Sequence, residues 1–146
     1  MNVDVKIQGI ESVEKNFKAL SKRYSKNVAK ALVQGGELVR GEAIKSIQNT
    51  SPGDQVTRSR EGGATYDHTA SSPGDAPNTD TGDLVKSIQL DVQKKRVLVG
   101  SGLAYAKFLE FGTRVMAPRP WLVPALEKNR KKIKKLIASA LKRTPK

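Results

Sequence analysis

One pattern constrains this chain more than any other. Apolar residues recur at Val13, Phe17, Leu20, Tyr24, Val28, Ala31 and Leu38, with Gly35 completing the spacing, in steps of three and four. That spacing puts them on one face of an amphipathic helix. Ser12 is placed to cap its start, and Ile44 and Ile47 continue it with the stripe shifted. Unbroken from 11 to 48, such a helix is about 57 Å long. A compact globule of this size is only about 35–40 Å across. The helix must therefore bend, or project beyond the body that it belongs to. Gly35-Gly36 sits in its middle, where two glycines cost about 2 kcal/mol relative to two alanines. The pair is either a tolerated weak point or a site of bending or close helix contact.

The flanking segments are of other kinds. Val3, Val5 and Ile7 alternate with polar residues up to Gly9, which predicts a half-buried strand. Residues 49–82 are dominated by Pro, Gly, Ser, Thr, Asn and Asp, and Ser-Pro-Gly-Asp occurs there twice, at 51–54 and 72–75. Pro-Gly marks turns, and this composition predicts a long flexible loop that orders only in an assembly, because it buries too little to offset the entropy of ordering. Residues 81–85 (Thr-Gly-Asp-Leu-Val) restart order as a helical turn capped by Asp80 or Thr81. Residues 87–92 alternate as a strand, and 96–99 pair back on it as a hairpin. Val115-Met116 can add a short strand. From Trp121 onward, Leu122, Leu126, Ile133, Leu136, Ile137, Ala140 and Leu141 share one helix face, and the other face is almost all Lys and Arg. The expected architecture is α+β in one domain over 1–146. A long N-terminal helix and a basic C-terminal helix pack on a small, mostly antiparallel sheet.

Composition narrows the function. Hydrophobic residues make up only 37% of the 146, so the core is modest and some surface is left for a partner. The formal net charge is +13. Residues 127–146 hold nine Lys or Arg against Glu127 alone, which suggests an anionic neighbour such as nucleic acid or an acidic protein. The absence of cysteine rules out disulfides and thiol chemistry. His68 is the single histidine, so no histidine cluster exists for a metal or a catalytic triad. Gly100-Ser101-Gly102 is too short for a phosphate loop. Glu110, between Leu109 and Phe111, is the best candidate general base, but an ion pair with Arg114 or Arg119 suits it better. Neither an enzyme nor a cofactor is expected. No apolar run is long enough to span a bilayer, and no leader-like apolar segment opens the chain, so synthesis in the cytoplasm is expected.

The stretch from Gly100 to Ala125 is the most informative. Tyr105, Phe108 and Leu109 share a face of a short helix, Gly112 stops it, and Arg119-Pro120-Trp121 opens a second helix with proline in its first turn. Residues 105–106 (Tyr-Ala), 109–113 (Leu-Glu-Phe-Gly-Thr), 119–122 (Arg-Pro-Trp-Leu) and 124–125 (Pro-Ala) form an ordered set. Upstream, 81–84 (Thr-Gly-Asp-Leu), Ser87-Ile88 and the strand 97–100 complete it. In order and spacing this set resembles the tail-completion, or head–tail joining, proteins of long-tailed phages and prophages, over roughly residues 1–140.

The resemblance implies a structural virion protein, made in the bacterial host cytoplasm. It would form a homo-oligomeric ring, sixfold like the tail, at the head–tail junction, between the head connector and the tail tube or terminator proteins. Phe111, Val115 and Met116 are too many apolar groups for one tight bend to bury. The expected subunit interface is therefore Tyr105, Phe108, Phe111, Thr113, Met116, Arg119 and Trp121, with Trp121 also locking the corner. Lys128, Arg130, Lys131, Lys132, Lys134 and Lys135 are the expected contacts to DNA in the ring lumen. The alternative is a free-standing, sequence-independent DNA-binding protein. No aromatic residue interleaves the basic run, which argues against single-strand stacking.

Overall fold

The computed structural model describes residues 10–142 except Lys95. The strand expected over residues 2–8 lies outside the described residues, as does the tail beyond 142. The long helix, α1 (Ile10–Gln48), runs without interruption for 39 residues. A polar segment holds a first hairpin, β1 (Gln55–Ser59) and β2 (Thr65–Thr69). The short helix α2 (Asp83–Ser87) leads into a second hairpin, β3 (Ile88–Gln93) and β4 (Arg96–Ser101). The helix α3 (Ala106–Phe111) and the basic helix α4 (Val123–Lys142) follow. Both hairpins are antiparallel and two-stranded, with Gln55 opposite Thr69 in one and Ile88 opposite Ser101 in the other. The architecture is α+β as expected, with two small sheets instead of one among the described residues.

α4 packs along the C-terminal half of α1, and β3–β4 lies against the same half. The core between them is Val39, Ala43 and Ile47 of α1, Leu84, Ile88, Ala106, Trp121 and Ala125. The buried stripe of α1 falls on Val39 and Ala43 beside the expected Leu38, which is 37% exposed, and α4 buries Ala125 and Asn129 while Leu126 and Leu141 of its expected face stay about half exposed. Gly35 and Gly36 are the contact points. A Cβ on Gly35 would lie 3.2 Å from Ile133 Cγ2 of α4, and one on Gly36 would lie 2.6 Å from both Leu90 Cδ1 and Val97 Cγ1. The glycine pair is thus where α4 and the second hairpin approach the helix backbone, and α1 continues through it without interruption. Gly41, on the same helix, has open space around it. Gly41→Ala should then stabilise the protein by about 0.5–1 kcal/mol through helix propensity alone. Gly36→Ala should instead destabilise it, because overpacking costs about 1–3 kcal/mol. Chemical denaturation of the two variants checks the opposite signs.

The segment 49–82 departs from the expected long flexible loop. It is held by polar bonds between side chains and backbone. The backbone N–H of Ser51 donates to Asn78 Oδ1 at 2.7 Å, and Asn78 Nδ2 donates back to the carbonyls of Ser51 and Thr69 at 2.8 and 2.9 Å. Thr79 Oγ1 donates to the Ile47 carbonyl at the end of α1 at 2.9 Å. Within the hairpin, Thr57 Oγ1 donates to Asp67. This order comes from side-chain amides and hydroxyls pairing with backbone, which leaves no hydrophobic periodicity to read.

Three boundaries also move. Gly82, in the left-handed conformation, precedes α2 without a side-chain cap. Asp80 faces the first hairpin instead, accepting from Tyr66 Oη at 2.6 Å and pairing with Arg58 at 2.9 Å. Val115-Met116 is not a strand: the Thr113 hydroxyl accepts from both of their backbone N–H groups, and Thr113 N–H donates to the Met116 carbonyl at 2.8 Å. α4 begins at Val123, so Pro124 and not Pro120 is the proline in its first turn.

Candidate functional site

The α3–α4 connection is held from inside by Glu110. Its side chain is only 7% exposed. Oε2 accepts the backbone N–H groups of Trp121 and Leu122 at 2.8 and 2.9 Å, and Oε1 accepts that of Val123 at 2.8 Å. These are N–H groups that a helix start leaves without intrahelical partners, and a carboxylate there also meets the positive end of the helix dipole. The expected ion pair of Glu110 with Arg114 or Arg119 is not made. Arg119 turns the other way, its Nε donating to the Ser71 carbonyl at 2.9 Å and its backbone N–H to the Leu109 carbonyl.

The bend between the helices depends on Gly112. Its φ is +74°, and a Cβ there would meet the Met116 carbonyl oxygen at 2.7 Å and Pro118 N at 2.9 Å. No other residue fits. Trp121 is 3% exposed and belongs to the core, with Nε1 reaching toward the Ala106 carbonyl at 3.5 Å. It locks the corner as expected, and it is buried inside its own subunit rather than lying on the surface assigned to the interface.

What the loop presents outward is another subset. Phe111 is 73% exposed and Val115 89%, with Tyr105 and Phe108 about half exposed beside them. Thr113 is exposed, and Met116 and Arg119 are partly buried. Tyr105, Met116 and Arg119 line an open cleft of about 450 Å³ together with Arg58, His68, Asp80 and Asp83. Burial raises the pKa of the Tyr105 phenol, and the carboxylates of Asp83 and Asp80 raise it further. The acids therefore stand next to the aromatic loop. The first hairpin joins the same cleft through Asp80, whose hydrogen bond raises the pKa of the Tyr66 phenol. Sequence reading passed over Asp80, Asp83 and His68 as members of one cleft with Tyr105, since nothing in their spacing joins them.

The six basic residues assigned to α4 divide in two. Lys128 is paired with Glu42 of α1, whose carboxyl it holds below the ordinary value. Arg130 pairs with Glu127 one turn away at 3.3 Å. Lys131, Lys132, Lys134 and Lys135 are exposed, and none has an ion-pair partner among the described residues. They form a free cationic face on the side of α4 turned from the core. No group of His, Cys, Asp and Glu suited to a metal ion occurs among the described residues. No helix among them is long and apolar enough to cross a membrane.

No curated protein and no solved structure matches the chain. A family profile does. The one described as "Bacteriophage HK97-gp10, putative tail-component" matches residues 11–112. The match takes in α1, both hairpins and α3 up to the Gly112 stop. It covers well over half of the chain and ends before the α3–α4 loop and α4. The chain belongs to the HK97-gp10-like family of bacteriophage tail components.

Proposed function

We propose that the protein is a tail-completion subunit that forms a homo-oligomeric ring, sixfold like the tail, at the head–tail junction. Membership of a phage tail-component family makes it a structural protein of the virion. The observation that carries the finer reading is the loop of Phe108, Phe111 and Val115, which stays exposed although Glu110, Gly112 and Trp121 beside it are used inside the subunit. Glu110, Gly112, Arg119 and Trp121 shape the corner. Phe111 and Val115 are mostly in solvent, and a contact with the next subunit would cover them. A head-to-tail contact closes into a ring when its rotation divides a full turn. Catalysis forms no part of the proposal, since both carboxylate oxygens of Glu110 are occupied by the three backbone N–H groups of the α4 start.

The free lysines of α4 support a place for that face toward DNA in the ring lumen. Each exposed charge is weak and screened beyond about 8 Å at physiological salt, so the effect must come from the cluster. The second reading, a free-standing DNA-binding protein, rests on the same lysines. Native mass measurement of the purified chain, alone and with its tail partner, separates the readings when combined with a gel shift at physiological salt. The ring reading expects one closed oligomer, or its capture by tails, with weak binding to short duplex. Tight duplex binding by a persistent monomer that is absent from tails would replace it with the second reading.

A further inference from the structure

From residue 12 to residue 23 every side chain of α1 is exposed. This part of the helix lies beyond the reach of α4, and with Ile10 and Glu11 it projects by about 20 Å. It is still amphipathic. Phe17 is 72% exposed, and Val13 and Leu20 share its face. A helix of this length is marginal in water without a surface to pack on. Its flanks are basic: Lys15, Lys18, Lys22, Arg23, Lys26 and Lys30 stand against Glu14 alone between residues 12 and 30.

The α3 side of the chain offers a surface of complementary kind. Seven of the fourteen acidic residues fall between 54 and 91. Of these, Asp75 and Asp83 are exposed and lack ion pairs among the described residues. Both border the aromatic loop. Asp83 acts on the Tyr105 phenol, and Gly74 N–H, next to Asp75, donates to the Pro118 carbonyl at 2.9 Å. The surface of α3 and its following loop thus offers exposed aromatic and aliphatic side chains with Asp75 and Asp83 near by.

We infer that the projecting half of α1 docks on the exposed surface of α3 and its following loop in a second copy of this chain, its Val13-Phe17-Leu20 stripe on Phe108, Phe111 and Val115, and its Lys18 and Arg23 flanks on Asp75 and Asp83. This rests on the ring reading and names the contact that closes the ring. Long basic side chains at the edge of an apolar stripe can lie along it and carry their charge to a rim. Two such helices pairing with each other would set like charges together, which disfavours a twofold contact. A contact between two different surfaces is also what a ring requires.

The absence of native cysteine makes the test clean. Chains carrying Phe17→Cys and chains carrying Val115→Cys are mixed and oxidised, and the double variant is oxidised alone. The expected result is a mixed disulfide dimer in preference to either like pair, and a ladder ending in a closed ring for the double variant. Phe17→Ser, at an exposed position, should abolish the oligomer without changing the melting temperature. Cross-links only between identical cysteines would overturn the inference and make the contact one between like surfaces. A wild-type chain that forms rings, with cysteine variants that do not cross-link and a Phe17→Ser variant that still assembles, would overturn this contact and leave the ring standing. A wild-type chain that is monomeric in solution and absent from tails would remove both.

Discussion

Glu110→Ala should weaken the fold by about 3 kcal/mol or more. Hydrogen bonds to a charged acceptor contribute about 1.5–3 kcal/mol each, and Glu110 accepts three from consecutive backbone N–H groups. The substitution leaves those donors unpaired at a corner where Trp121 is buried and Leu122 partly so. Glu110→Gln should fall between alanine and wild type. An amide can place its oxygen where Oε2 accepts two bonds, but its NH₂ then faces the Val123 N–H, donor against donor. The ranking of wild type, Gln and Ala in urea denaturation distinguishes this from a plain packing role. If Gln equals wild type, the carboxylate is not the cap that orders α4. If Ala costs less than about 1 kcal/mol, the N–H groups have found other partners.

Trp121→Ala should cost about 3–5 kcal/mol, against a total stability of typically about 5–15 kcal/mol. The indole belongs to the core cluster with Ala43, Ala106, Ala125 and the larger Val39, Ile47, Leu84 and Ile88. Those residues sit on packed helices and on β3, so they relax only partly into the space left behind. A drop in melting temperature on the order of 10 °C follows. Phe111→Ser should behave in the opposite way. Its side chain is mostly in solvent, so the isolated subunit should melt as wild type and fail to assemble. Thermal melts of both variants, paired with native mass measurement, check the division. Equal loss of stability in both would place Phe111 in the core and remove it from the interface.

The two predictions separate residues that stand within eleven positions of each other in one motif, and they show where sequence reading succeeds. Periodicity identified α1 and α4 as amphipathic helices and the β3–β4 hairpin, because each buries one face in a regular repeat, but the buried positions Val39, Ala43, Ala125 and Asn129 fall beside the residues that the pattern picked out. The stop at Gly112 was legible because a positive φ is a property of one residue. Trp121 was legible as a corner residue for its size. The loop between α3 and α4 was also legible as carrying more apolar groups than a bend can hold.

What tertiary structure decided is chiefly polar. Glu110 reads equally well as a base, an ion-pair partner or a cap, and only the approach of α4 to α3 makes its carboxylate a cap. Arg119 and Ser71 are 48 positions apart, and a hydrogen bond between a guanidinium and a carbonyl leaves no mark in either local pattern. The first hairpin was hidden for the same reason. Asn78 and Thr79 tie its ends to Ser51 and Ile47 across long sequence separations, so its order comes from paired backbone groups and not from an apolar repeat. The Gly35-Gly36 pair was open to two readings from sequence. It became a packing contact once Ile133, Leu90 and Val97 were seen against it. A local pattern carries the period of a helix or strand. The partner across the fold, which decides whether a polar or small residue stabilises, caps or docks, is set by distances that only the folded chain defines.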